Sequence, residues 1–532
     1  MNSLVNLCGP RRALGALLAG AAILLIVGCV SVRHDVPRPP SYAIDNPQET
    51  MLWRSFAPQL TAHPGMSGLR LLPLGQEAFL VRAALAEAAQ RTLDLQYYSM
   101  APDTTGTLLI YRALRAAQRG VRVRLLIDDL DVGDRDAHLA LLAAHPNVQV
   151  RVFNPFTLRG SVGLSRVLDF LSDGARLNRR MHNKLWIADN AAALIGGRNL
   201  GDAYFSADGR GNFADLDVLA AGPVVAEASR SFDAYWNSEW AVPIQAFVIH
   251  ASGPQELEQF VSQLAARAAA FRDSEYARAL RATDLGLLVR SGRLRLTVAH
   301  AAVLYDPPAK LQAQTSEQEG HVVSSLRQTI LATRNELVLV SPYFVPNERG
   351  VGMLCELVRR GVRVRVLTNS LASTDVPAVY AAYARYRPRL LACGVALSEL
   401  RSSVPESESG KVRRILSSGV SLHAKAIMVD GKLVLIGSMN LDPRSRLSNT
   451  EIAVLIDSKE LGLELGAWLD EATSLDRSFR PELTTPGDPR TPVFWIGRDD
   501  DQLERYSSEP LASWWQRIVS GLLGVLVPEG LL

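Results

Sequence analysis

Cysteine is scarce in this chain, four residues in 532. That excludes a small disulfide-stapled scaffold, and no Cys/His cluster has the spacing of a metal site. Excess charge of one sign is missing too. Lys and Arg number 57 against 54 Asp and Glu, a net charge of +3, so no acidic or basic tail directs the protein to a partner. Aromatics are only 7% of residues and are not interleaved with a basic face, so nucleic acid is not an expected partner. A long apolar run occurs once, from Ala13 to Val27. What remains is an ordinary globular balance over a length that holds two large domains.

Arg11 and Arg12 precede the apolar run, and Gly28 and Cys29 follow it. A positive start, a short apolar core and a small residue before the cut describe a secretory signal over residues 1–28. Ile26-Val27-Gly28-Cys29 resembles a bacterial lipobox, which implies cleavage before Cys29 and its lipidation; an uncleaved anchor helix is the rival reading. Either places the bulk of the chain against a membrane and outside the cytoplasm. The expectation is a membrane-anchored lipoprotein facing the periplasm of a Gram-negative bacterium, with Pro-rich residues 29–58 as its tether. Cys8 goes with the signal. Cys355 and Cys393 fall in helical patterns and either pair in an oxidising compartment or stay as two buried thiols, the second being the expectation.

Against this background one constellation occurs twice. The first copy is His182, Lys184, Asp189, Gly196, Gly197 and Asn199; the second is His423, Lys425, Asp430, Gly437, Ser438 and Asn440. The hexamer RGVRVR at Arg119–Arg124 recurs at Arg360–Arg365. Both repeats take the same 241-residue step, from 119 to 360 and from 182 to 423. Alone the hexamer is a common strand-entry pattern. Its matched spacing to the histidine makes a duplicated unit the economical reading.

Leu69–Leu74, Leu93–Met100, Val121–Asp128 and Val148–Phe153 read as strands, with helices at Glu77–Gln90, Gly106–Arg119 and Ala137–Ala144. The second half repeats the plan with strands at Glu336–Val340 and Val362–Thr368 and helices at Gly352–Arg360 and Val376–Leu391. The alternation predicts an α/β fold, two duplicated domains each built on a mixed, mostly parallel sheet flanked by helices. The domains are expected over 59–250 and 321–500, packed with pseudo-twofold symmetry, and 251–320 as a connecting segment with a charged helix at Glu256–Leu280. In each motif His and Lys are expected two apart on one strand, hence on one face. Glu406–Gly419 reads as a loop before the second motif. In an amphipathic segment over 501–532, Leu511, Trp515, Ile518, Leu522 and Val525 recur at helical spacing beside Trp514. That stripe either packs on its own domain or dips into a membrane interface.

A phosphodiester is anionic and resists attack by water. An imidazole can attack its phosphorus if the developing charge is offset and the leaving alkoxide is protonated. Two histidines supply a nucleophile and an acid, whereas one motif supplies only one of them. Lys184, Lys425, Asn199 and Asn440 supply donors for the phosphate oxygens, and no metal or other cofactor is called for. Arg179, Arg180, Arg413 and Arg414, just before the histidines, suit an anionic substrate or are plain solvated surface. Each histidine also needs its second ring nitrogen held. Candidates are Glu451, 28 residues after His423, and in the first half Asp215, whose Asp-Leu-Asp-Val aligns with Glu-Ile-Ala-Val.

The paired motif resembles the phospholipase D superfamily over nearly the whole chain beyond the tether. The resemblance implies His182 as nucleophile and His423 as general acid and base. It implies Lys184, Lys425, Asn199, Asn440 and Ser438 as phosphate ligands, and Asp189 and Asp430 as supports within the catalytic motif. Gly197 departs from the usual Ser, so one hydroxyl contact is missing. Within the superfamily, GSMNLDPRSRLSNTEIAVLID at 437–457 resembles bacterial cardiolipin synthases of the C type. That implies phosphatidyl transfer at a membrane surface, with phosphatidylglycerol as acceptor and either it or phosphatidylethanolamine as donor. No protein partner is indicated. With water as acceptor the same residues would make a hydrolysing phospholipase D, and a secreted nuclease is the third reading.

Overall fold

The computed structural model describes residues 30–33, 35–131, 135–159, 164–209, 211–248, 253–283, 285–286, 294–312, 321–402, 420–499 and 502–527. The signal segment, Cys29 and the Glu406–Gly419 loop lie outside the described residues, and with them the lipid-anchor reading.

The repeated hexamer has a local cause. Gly120 and Gly361 take positive φ angles of 96° and 86° just past the helices Thr104–Gln118 and Asn347–Arg359. Val121 N then donates to Ala116 O, and Val362 N to Leu357 O, the bond that closes a helix on a left-handed glycine. Arg119 donates to Ala86 O and Glu87 O, and Arg360 to Leu331 O and Thr333 O, at the end of the preceding helix. The hexamer is therefore a helix stop, a clamp on the neighbouring helix and the entry to the strands Arg122–Asp128 and Arg363–Asn369.

Each half builds a mixed sheet. In the first, Thr92–Tyr97, Arg122–Asp128 and Val148–Phe153 run parallel. From Thr92–Tyr97 the sheet continues antiparallel through Leu185–Ala188, Ala192–Gly196, Asp217–Ala221 and Ser67–Leu72. In the second, Glu336–Val340, Arg363–Asn369 and Ala396–Leu400 are parallel. Ala426–Val429, Leu433–Gly437 and Ile452–Asp457 follow antiparallel. The expected parallel order is thus confined to three strands per half, because each motif folds as a tight antiparallel hairpin. Thr92–Tyr97 is buried at every position, as a strand covered on both faces must be.

Two segments do more than expected. The strand Thr297–Tyr305, inside the segment read as connecting, pairs with Ser67–Leu69 of the first sheet and with Ile452–Asp457 of the second, so it welds the halves. Residues of the expected tether lie down on the first half. Arg33 N donates to Ala246 O, Ala43 N to Asp233, and Arg124 to Ser41 O, while Met51–Leu60 forms a helix with Leu52 and Phe56 buried. The tether is corrected to a strap, since the buried Arg124 and the half-buried Asp233 hold its backbone.

Cys355 and Cys393, expected as separate thiols, form a disulfide with Cα atoms 5.4 Å apart. The helices Asn347–Arg359 and Pro377–Ala392 lie side by side, which brings the two positions together. Closing a loop over a separation of 38 residues is worth about 4 kcal/mol by restriction of the unfolded chain. The double change Cys355→Ser/Cys393→Ser should lower stability in urea by up to that amount; an unchanged midpoint would contradict the bond.

Candidate active site

Both histidines sit in extended backbone just before a strand, Leu185–Ala188 in one half and Ala426–Val429 in the other, and not within the strand as expected. That backbone pairs across the halves. His182 N donates to Thr450 O at 2.9 Å, Thr450 N to Arg180 O at 2.9 Å, and His423 N to Ala214 O at 2.8 Å. Val420–Leu422 lies parallel to Asn212–Ala214. Each histidine segment is thereby zipped to the carboxylate segment of the opposite half.

The side chains follow. His182 Nδ1 lies 3.0 Å from Glu451 Oε2, and His423 Nδ1 lies 2.6 Å from Asp215 Oδ2. Both carboxylates orient a histidine, but along the chain each follows the histidine of its own half, and in space the partners are exchanged. An ionised carboxylate only accepts, so each Nδ1 bears the hydrogen and donates it. The Nε2 lone pair of both rings is left free for chemistry. Lys425 Nζ is 2.8 Å from His423 Nδ1 but cannot donate to a nitrogen that already carries hydrogen. Its anchor is the His423 carbonyl, as Lys184 is anchored on the His182 carbonyl at 2.6 Å.

The two histidines share one cleft of about 560 Å³ with Asn199 and Asn440. Asn199 Nδ2 donates to the Tyr204 hydroxyl at 3.0 Å, while the Asn440 side-chain oxygen is buried with no partner among the described residues. Aromatic rings that sequence reasoning missed wall the histidines. Tyr98 lies 5.1 Å from the His182 ring, and Tyr204 and Phe213 lie 5.2 and 5.0 Å from that of His423. At the rim, the Tyr343 hydroxyl donates to Asp375 at 2.7 Å. The one sequence signal for Tyr98, Tyr343 and Asp375 is that they follow parallel strands, and ligands of such sheets bind at the strands' carboxyl ends.

Burial dominates the electrostatics. It pushes His182 down to about 4 against the pull of Glu451, and it lowers His423 together with Lys425, against Asp215. Burial alone would raise Glu451 and Asp215, but the facing histidines and lysines outweigh it and hold both carboxyls below their usual values. Burial takes Lys184 well below the ordinary lysine range and Lys425 down to about 8. Both lysines are buried beside the histidines whose carbonyls hold them, and a bound anion there would stabilise their charged forms. Among the described residues no group of three His, Cys, Asp or Glu is arranged to hold a metal ion.

Asp189 and Asp430, read as supports within the catalytic motif, stand outside the residues that line the cleft. Asp189 accepts from Gln90 N, Arg91 N and Thr92 N, and Asp430 from Arg334 N, Asn335 N and Glu336 N. They pin the motif hairpin to the strand beside it. Ser438, expected on the phosphate, is fully buried; its hydroxyl donates to Glu451 and accepts from Ile452 N. Its counterpart Gly197 leaves room for a carboxylate, since a Cβ there would stand 2.2 Å from Asp215 Oδ1. Arg180 is buried against Asp128 at 3.3 Å and Arg179 donates to Leu311 O, so both brace the fold. Arg413 and Arg414 lie outside the described residues.

The family described as "Cardiolipin synthase, PLD-like domain" matches residues 82–236 and 326–472, one match in each half. The chain belongs to this family of the phospholipase D superfamily and is a cardiolipin synthase-like enzyme. It is similar to cardiolipin synthase C of Escherichia coli (strain K12), 38% identical over 479 residues that cover 89% of this chain and 98% of that one. An uncharacterized protein of Helicobacter pylori (strain J99) is 32% identical over 514 residues, 96% of this chain and 98% of that one. Among solved structures, phosphatidylserine synthase of Haemophilus influenzae Rd KW20 has a TM-score of 0.51 at 14% identity, covering 79% of this chain and 90% of that chain, a likeness of fold.

Two outcomes follow from this geometry. Asp189 is fully buried and Asp430 is not. Asp189→Ala should therefore cost about 3 kcal/mol of stability and Asp430→Ala about half of that, while the folded fraction of each keeps its turnover rate. Equal loss of turnover at unchanged stability would return them to the chemistry. Affinity for a phosphate-like anion such as tungstate should fall as the pH rises through 8, because Lys425 in the empty site loses its proton there and must take one up to bind. A titration flat from pH 7 to 10 would contradict this.

Proposed function

We propose that the enzyme transfers a phosphatidyl group between phospholipids and so makes cardiolipin. The observation that carries the reading is the pair of histidines, each donating Nδ1–H to a carboxylate and each with a free Nε2 in the same cleft. His182 Nε2 attacks the donor's phosphorus and the bond to the departing headgroup oxygen breaks. His423, protonated in the presence of the anionic diester, gives its Nε2 proton to that oxygen. The phosphatidyl group now sits on His182. A hydroxyl of the acceptor then attacks phosphorus, His423 takes its proton, and the phosphorus–nitrogen bond breaks. Lys184, Lys425, Asn199 and Asn440 hold the phosphate oxygens. The low proton affinity of His182, which keeps it neutral far below physiological pH, suits the nucleophile. Phosphatidylglycerol is the proposed acceptor, and it or phosphatidylethanolamine the donor. Both lie in a bilayer, where an anchor at Cys29 would also keep the enzyme.

The test uses vesicles of defined phosphatidylglycerol and phosphatidylethanolamine, with products read by mass spectrometry. Cardiolipin is the expected product; phosphatidic acid alone would make the enzyme a hydrolase. His182→Ala should lower the rate by at least about 10³-fold and abolish labelling of the protein by ³²P-phosphatidyl donor after a denaturing quench at alkaline pH. Product formed at the wild-type rate by that variant would sink the covalent scheme.

A further inference from the structure

The helix Trp514–Leu526 presents an apolar face that the fold does not use. Among the described residues twelve large hydrophobic side chains are exposed, and seven of them lie between Leu511 and Leu526. Trp514 is 69% exposed, Trp515 58%, Leu522 56% and Val525 84%. With Ile518 and Leu526 they share one side of the helix, at spacings of three, four and seven residues. A patch of this kind marks an interaction surface and not scattered surface leucine. The opposite side carries the packing. Ser520 is buried, and at Gly524 an added Cβ would stand 3.5 Å from Ala381. The stripe therefore does not pack on its own domain.

What it faces follows from where the helix lies. It packs on the helix Pro377–Ala392 and runs opposite to it. Its first turn is tied through Arg517 to Glu509 O and through Glu509 to Arg387, and its last turn lies at Ala381. The residues leading into and opening that partner helix, Asp375, Val376 and Val379, line the catalytic cleft. The last turn of the apolar helix thus lies beside the segment that lines the site. Thirteen residues of helix are about 20 Å long, too short for a hydrocarbon core of about 30 Å. The helix is suited to lie in the plane of an interface, its tryptophans at headgroup depth and its aliphatic side chains just below. The helix bears no acidic residue, and Arg517 is its single charged one. That composition tolerates an anionic lipid surface.

We infer that this face is the membrane-docking surface of the enzyme. It seats on the phospholipid bilayer, so that the cleft opens at headgroup level beside it. The inference rests on the reading of the substrate as membrane phospholipid.

The test uses the full chain in phosphatidylglycerol and phosphatidylethanolamine vesicles whose acyl chains carry bromine. Of eight tryptophans, Trp514 and Trp515 are the exposed ones. Bromolipid should quench the wild-type fluorescence, and Trp514→Phe/Trp515→Phe should remove most of that quenching. No quenching, or quenching untouched by the double change, overturns the proposal. So does sedimentation showing that the face is buried in a self-dimer. In parallel, Leu522→Glu/Val525→Glu should lower, at least tenfold, the ratio of turnover on vesicles to turnover on a short-chain phospholipid below its micelle concentration. An unchanged ratio contradicts docking. If the wild type turns over neither substrate, the proposed reaction fails, while the quenching result stands on its own.

Discussion

The structure depends on two buried histidine–carboxylate pairs that are exchanged between its halves. Neither half completes its own histidine–carboxylate pair. His182 is held by Glu451 and His423 by Asp215, and the backbone around each is bonded to the other half before the side chains meet. A buried imidazole–carboxylate contact left without one partner costs several kcal/mol. Exchange of partners therefore makes separation of the halves and loss of the site the same event. The strand Thr297–Tyr305, paired with both sheets, enforces the same union away from the cleft.

Duplication gives the site its symmetry, and small departures give it two different ends. Glu451 takes hydrogen bonds from the Ser438 and Ser445 hydroxyls as well as from His182. Asp215 is shorter, sits where a Cβ on Gly197 would clash, and takes Leu216 N as its second donor. His182 and His423 thus meet carboxylates of different length and different company. The proposed division of labour, one ring attacking phosphorus and the other moving protons, rests on that difference.

Much of this was legible along the chain, and the remainder was not for identifiable reasons. The 241-residue step, the two motifs and the parallel strands are local patterns, so they survive in one dimension: Val148–Phe153 and Glu336–Val340 fall where alternation puts them. Asp215 was separable from Asp217, which is engaged with Arg82 at 2.9 Å. Exchange of the carboxylates was hidden, because aligned repeats cannot say which copy a side chain reaches. Ser438 was misread for a different reason: its partner Glu451 belongs to the same half and is set by a hairpin, not by its place in the motif. The strap over residues 35–60 looked like a tether because proline and polar residues give no periodicity even when buried side chains such as Arg124 hold their backbone. The exposed stripe at 514–526 had a helical period that fitted burial and membrane contact equally well.

The exchanged pairing is tested most directly by double-mutant cycles on stability, with His182→Ala and His423→Ala each combined with Glu451→Gln and with Asp215→Asn. The account predicts coupling of about 1–3 kcal/mol for His182 with Glu451 and for His423 with Asp215, and no more than about 0.5 kcal/mol for the two other combinations. Coupling of His423 with Glu451 and of His182 with Asp215 instead would mean that each half completes its own histidine, and would contradict the account.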